Sequence, residues 1–189
     1  MTLQESFATG TDMAVSISDT TYYQTFTIAS DHTIAAISLY LDNGGTIPGL
    51  VTVSLRGVEG NLGSEAPSSR PGGQDLVSYV FDGSVIADSP TWYLFLFNKL
   101  LHKKSDDVLS ILVKEDGGAG TISWHGAAAG GYAGGNAGYW DDLAGLWIKD
   151  TADLYFRIYS GFDEELGRHL RLVHPTSRNP VSIMRCQPE

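Results

Sequence analysis

A two-residue rhythm constrains this chain more than any other feature. Val51, Val53 and Leu55 alternate with Thr52, Ser54 and Arg56. Successive side chains of an extended strand point to opposite faces, so this stretch buries one face and wets the other. The rhythm recurs in Gln24 to Ile28, with Phe26 and Ile28 inward, and in Ile37, Leu39 and Leu41. It returns in Val77, Tyr79 and Phe81, in Leu109, Ile111 and Val113, and in Leu154, Phe156 and Ile158. Residues 92–97, WYLFLF, are apolar on both faces and read as a central, doubly covered strand. Residues 121–125 form a further short strand that carries Trp124. The runs stop at DNGG (42–45), EDGG (115–118) and Gly161, where Gly, Asp and Asn supply turn chemistry. No apolar stripe of helical period is sustained before residue 162, so an all-β sandwich or barrel follows. Phe26, Ile37, Leu39, Val53, Leu55, Phe95, Leu109, Ile111 and Phe156 are the expected core.

Charge narrows the partners. The chain of 189 residues carries a net charge of −10, and an acidic surface repels phosphate, so no nucleic-acid partner is expected. The imbalance lies in residues 1–161. Beyond Glu165 the charge is basic, with Arg168, Arg171, Arg178 and Arg185 and no acid before Glu189. Pro175, Pro180 and Pro188 break that tail, although a short helix from Asp163 to about Leu170 fits its acidic start. A single cysteine, Cys186, excludes a disulfide framework within the chain. Met1 is followed by TLQESFATGTD, which has neither the basic nor the apolar region of a secretory leader, and no run approaches 18 apolar residues. The expectation is synthesis in the cytoplasm without membrane insertion, and release by lysis if the protein acts outside a cell.

Motifs for chemistry are sparse. GAAAGGYAGGNAG (126–138) is not followed by Gly-Lys-Ser/Thr and lacks dinucleotide-binding spacing, and no G-x-S-x-G occurs. Adjacent acids at 106–107, 115–116, 141–142 and 164–165 would point to opposite faces of a strand and read as solvated turn residues. The five histidines show no metal-ligand spacing. No cofactor, metal or catalytic residue is expected. The segment 117–145 reads as an ordered glycine-rich loop over one edge of the sandwich. Its aromatics admit two readings. Trp124, Tyr132, Tyr139 and Trp140 suit stacking on sugar rings, and together with Trp147 they also suit pinning a glycine-rich loop to the body. Trp124 and Trp147 are expected inside, with Tyr132 or Trp140 more exposed.

Gln24-Thr25-Phe26-Thr27, Trp92 with Phe95 and Phe97, Trp124, Tyr132-Ala133-Gly134-Gly135, and Asp153 with Phe156 and Tyr159 form a familiar succession. Over residues 22–161 the chain resembles jelly-roll β-sandwich modules of uncharacterised phage virion proteins and related environmental sequences. NKLLHKKSDD (98–107) departs from that pattern. The resemblance implies a jelly-roll-like two-sheet antiparallel β-sandwich of about eight strands. An N-terminal arm (1–21) would precede it, and a basic C-terminal arm (162–189) would follow. It further implies a non-enzymatic virion structural protein, a capsid decoration or cement protein located on the virion. Its partners would be copies of itself and a capsid or other virion protein. The tail lies outside the likeness, and its own positive charge beside an acidic body is what suits Arg168, Arg171, Arg178 and Arg185 to docking, either back on the same chain or on a neighbouring copy or capsid subunit. The alternative is a carbohydrate-binding module for receptor or surface glycan, using Trp124, Tyr132, Tyr139 and Trp140.

Overall fold

The computed structural model describes residues 1–10, 12–59 and 70–161, together with the backbone of residues 184–185. It is an all-β structure of two antiparallel sheets packed face to face. One sheet runs in the order β11 (Leu146–Lys149), β10 (Ala137–Asp141), β3 (Thr21–Thr27), β8 (Val108–Asp116), β5 (Leu50–Glu59), β6 (Arg70–Asp82). The other is centred on β4 (His32–Asp42), with β7 (Thr91–Lys103) on one side. On the other side of β4 lie β13 (Phe156–Ser160) and the end of β9 (Ile122–Ala127). Among these strands the chain changes sheet at β3–β4, β4–β5, β6–β7, β7–β8, β8–β9 and β9–β10, a jelly-roll-like wrap. Among the described residues the only helical turn is a 3-10 turn, Gly83–Val85, and no helix is long and apolar enough to cross a membrane.

The alternation places the core as expected. Phe26, Ile37, Leu39, Val53, Leu55, Phe95, Leu109, Ile111 and Phe156 are all buried between the sheets. Phe156 packs against Phe26 at 5.4 Å and against Tyr132 at 5.2 Å between ring centroids. In β7 the expected double covering is partial. Tyr93, Phe95 and Phe97 face the core and Leu94 is buried on the other face, whereas Trp92 and Leu96 are half-buried. The turn at 42–45 forms as its residues dictate: Gly44 N donates to Asp42 Oδ1 at 2.7 Å, and Gly45 N donates to Asn43 Oδ1 at 2.8 Å.

Three expectations change. Residues 1–21 are not a separate arm. β1 (Thr2–Phe7) pairs with β13, and β2 (Asp12–Ile17) pairs with β9, burying Phe7, Val15 and Ile17. Each strand has six residues, too short for its alternation to stand out. Second, the short strand expected at 121–125 is β9, but the rest of the segment 117–145 is more than a loop, because β10 lies within it; β10, β11 and β12 (Asp153–Leu154) help raise the strand count above eight. Third, NKLLHKKSDD continues β7 through Lys103 before turning at 104–107. Of the C-terminal arm, Arg168, Arg171, Arg178 and the short helix fall outside the described residues. Arg185 lies on β14 (Met184–Arg185), whose backbone pairs antiparallel with Leu94 and Tyr93 at the edge of β7.

Phe156→Ala removes a fully enclosed ring from the centre of this core and is expected to lower unfolding free energy by about 3–5 kcal/mol. Val80→Ala, at a half-exposed position on β6, is expected to stay within about 0.5 kcal/mol. Urea denaturation of both variants checks the assignment, and equal losses would overturn it.

Candidate functional site

The strands that build the core also build a groove. While Val51, Val53 and Leu55 point inward on β5, Thr52, Ser54 and Arg56 point outward. The neighbouring strands are paired in register, so their outward residues form rows. Thr21, Lys114 and Thr52 make one row, and Tyr23, Leu112 and Ser54 the next. Arg56 pairs with Asp75 across β5 and β6. All of these but Tyr23 line a groove of about 600 Å³ on the outer face of the six-stranded sheet. Leu112 and Ser54 are buried at its base.

Two tryptophans wall it. β10 and β11 form a hairpin in which Trp140 is paired with Trp147. The turn between them is set by Asp141, whose Oδ1 accepts from Leu143 N at 2.9 Å and Ala144 N at 3.0 Å. The indoles meet edge to face at 5.2 Å, and Trp147 in turn meets the Tyr23 ring edge-on at 5.3 Å. Glycine at 138 makes this stack possible. A Cβ there would lie 2.1 Å from the Ile148 carbonyl oxygen and 2.6 Å from the Tyr23 ring. Both tryptophans stay half-buried, so each keeps part of its ring for contact. An adjacent space of about 290 Å³, bordered by Glu59 and Arg70, shares Arg56, Trp140 and Trp147 with the first.

The cations of the groove are paired within it. Arg56 Nε donates to Asp75 Oδ1 at 2.6 Å, Lys114 bonds Asp116, and Arg70 Nη2 lies 3.7 Å from Glu59 Oε2.

The aromatic residues singled out from sequence do not form one cluster. Trp124 is fully buried, and its indole N–H donates to the Tyr155 carbonyl at 2.9 Å, so no ligand reaches it. Tyr132 packs on Phe7 and Phe156 and fastens the glycine tract. Tyr139 stacks on Tyr22 at 5.5 Å, on the face of β10 opposite to Trp140. Trp140 alone of the four lines the groove. Its partner Trp147, expected inside, is half-buried at the groove wall instead, because β11 is the edge strand of its sheet. Arg56, Asp75 and Lys114 escaped notice. The alternation in LVTVSLR already marked Thr52, Ser54 and Arg56 as one outward face, but the register that adds Asp75 and Lys114 is a long-range property.

The other sheet's outer face is less open to a ligand. Arg157 stacks over Trp92 at 4.0 Å, which occupies that ring, and His125 Nε2 is bound to Asp42 Oδ2 at 2.5 Å. Among the described residues no group of His, Cys, Asp and Glu is arranged to hold a metal. No protein-family model matches the chain, and no curated protein or solved structure is significantly similar to it.

Burial pushes the Tyr23 hydroxyl from 10.0 up to about 12, with the Asp150 charge adding to it. Burial likewise dominates at Tyr132, also raised to about 12. Both groups are protonated in folded and unfolded chains below pH 10. Above that, the unfolded chain loses protons that the folded one keeps, so stability is expected to fall between about pH 10 and 12. Tyr23→Phe should flatten this decline, read from denaturation midpoints against pH. An unchanged slope would show that the hydroxyl is not enclosed beneath Trp147.

Proposed function

We propose that this protein is a non-enzymatic β-sandwich module that holds a glycan in the groove on the outer face of its six-stranded sheet. The observation that carries this reading is the Trp140–Trp147 wall above a floor of hydroxyl and charged side chains. The apolar face of a sugar ring stacks on an indole, while its hydroxyls need donors and acceptors alongside. Thr52, Arg56 and Asp75 supply them. Groups already held in ion pairs, such as Asp75 and Asp116, suit binding better than proton transfer. On a virion, the setting implied by the resemblance over residues 22–161, such a module would attach the particle to surface glycan.

Trp140→Ala tests this directly. The ring is half-exposed and outside the core, so the melting temperature should change little. Retention on a glycan array should fall at least about tenfold, which corresponds to about 1.4 kcal/mol. A large loss of stability with retention unchanged would make Trp140 a structural anchor and remove the proposal.

The β14–β7 pairing favours a second reading, that of a capsid decoration or cement protein. Within one chain the backbone of Met184–Arg185 adds to the edge of β7, and exchange of this same main-chain contact between copies would join neighbouring subunits. On this reading the basic arm engages neighbouring copies and a capsid protein. Removing residues 162–189 should leave a folded sandwich that sediments as a smaller species and rebinds poorly to particles stripped of the protein. Undiminished assembly and attachment by the shortened chain would exclude it.

A further inference from the structure

Resting on the glycan-binding reading above, we infer that the groove takes an uncharged polysaccharide along an internal stretch of its chain and excludes acidic ones. The first argument is charge. Of the cations lining the two adjacent spaces, Arg56 is bound to Asp75, Lys114 to Asp116 and Arg70 to Glu59. A uronate or sulfate entering the groove would have to displace one of these carboxylates and leave it unpaired. Asp19 and Asp142 add two further negative charges to the same lining, in a chain of net charge −10. Like charges brought together in a concave site repel, and the repulsion strengthens as water is expelled. A neutral sugar meets no such opposition. Paired Arg56 and Asp75 set donors beside acceptors, which matches vicinal hydroxyls that each donate and accept.

The second argument is extent. The Trp140–Trp147 wall belongs to both spaces, about 600 Å³ on one side and about 290 Å³ on the other. The stacking platform is thus shared by two adjacent spaces, which suits a chain long enough to occupy both. A pocket built for a terminal residue would close beyond its platform.

Affinity electrophoresis through gels containing a single polymer tests both parts. Dextran, galactomannan, xylan and hydroxyethyl cellulose serve as neutral probes, and alginate, polygalacturonate and carboxymethyl cellulose as acidic ones. Wild-type protein is expected to be retarded by at least one neutral polymer and by no acidic one, and Trp140→Ala to abolish the retardation. Asp19→Asn combined with Asp142→Asn should gain some retardation by an acidic polymer at low salt. For the neutral polymer that binds, its oligosaccharides should gain about tenfold in affinity from the disaccharide to the hexasaccharide, measured by titration calorimetry. Reduction of the terminal residue should leave that affinity unchanged. Retardation by acidic polymers, lost on adding salt, would overturn the inference while leaving glycan binding intact. A disaccharide that binds as tightly as the hexasaccharide would overturn the internal-stretch part. Retardation by no polymer, neutral or acidic, would overturn the glycan reading itself.

Discussion

One buried polar node joins the two sheets and fixes everything that leads to the groove. Gln24 on β3 and Asp153 on β12 are both buried, in opposite sheets. Gln24 Nε2 donates to Asp153 Oδ1 at 3.4 Å, and Gln24 Oε1 accepts from Leu154 N at 2.6 Å. The other carboxylate oxygen, Asp153 Oδ2, accepts from Gly131 N at 2.9 Å and Tyr132 N at 3.0 Å. A buried amide and a buried carboxylate are tolerable only when satisfied, and removing either partner leaves the other exposed to its full desolvation penalty. The node therefore demands one arrangement of β3, β12 and the glycine tract.

From that node the glycine tract is led onto the edge of β3. Thr25 N donates to the Asn136 carbonyl at 2.8 Å, and Asn136 N donates to Thr25 Oγ1 at 2.8 Å. The approach is so close that a Cβ at Gly135 would sit 1.8 Å from the Thr25 carbonyl oxygen. Only glycine permits it. The tract then delivers β10 in register with β3, with Tyr139 opposite Tyr22. This sets which face Trp140 occupies. The glycines act as places of tight packing, and the two indoles of the groove wall depend on them.

The core was legible in the sequence because burial on one face leaves a period of two wherever a strand is long enough to repeat it. Val51, Val53 and Leu55 repeat it three times and are buried completely. β1 and β2 escaped because six residues each, beside the chain end, carry too little alternation to stand out. The aromatics were misgrouped for a different reason. Trp124, Tyr132, Tyr139 and Trp140 lie close in sequence, yet β9 belongs to one sheet and β10 to the other. Proximity along the chain says nothing about face or layer once a connection crosses between sheets. Trp124 and Trp140 are the same residue type 16 positions apart, one sealed in the core and one on the surface, and the hydrogen-bonded register separates them.

The same register argument explains why a groove can exist without disturbing the fold. On β5 the inward residues hold the sandwich and the outward ones, Thr52, Ser54 and Arg56, line the groove. Because successive side chains on a strand never share a face, substitution on the outward set does not reach the packing directly. A one-residue slip of β5 against β8 would put Arg56 into the core and Leu55 into water, so the apolar face that stabilises the sandwich also enforces the position of every groove residue. The Arg56–Asp75 and Lys114–Asp116 pairs add little stability of their own, being part-exposed, and their consequence is electrostatic. They neutralise the groove's cations in place, which leaves stacking and hydroxyl contacts as the terms that discriminate between ligands.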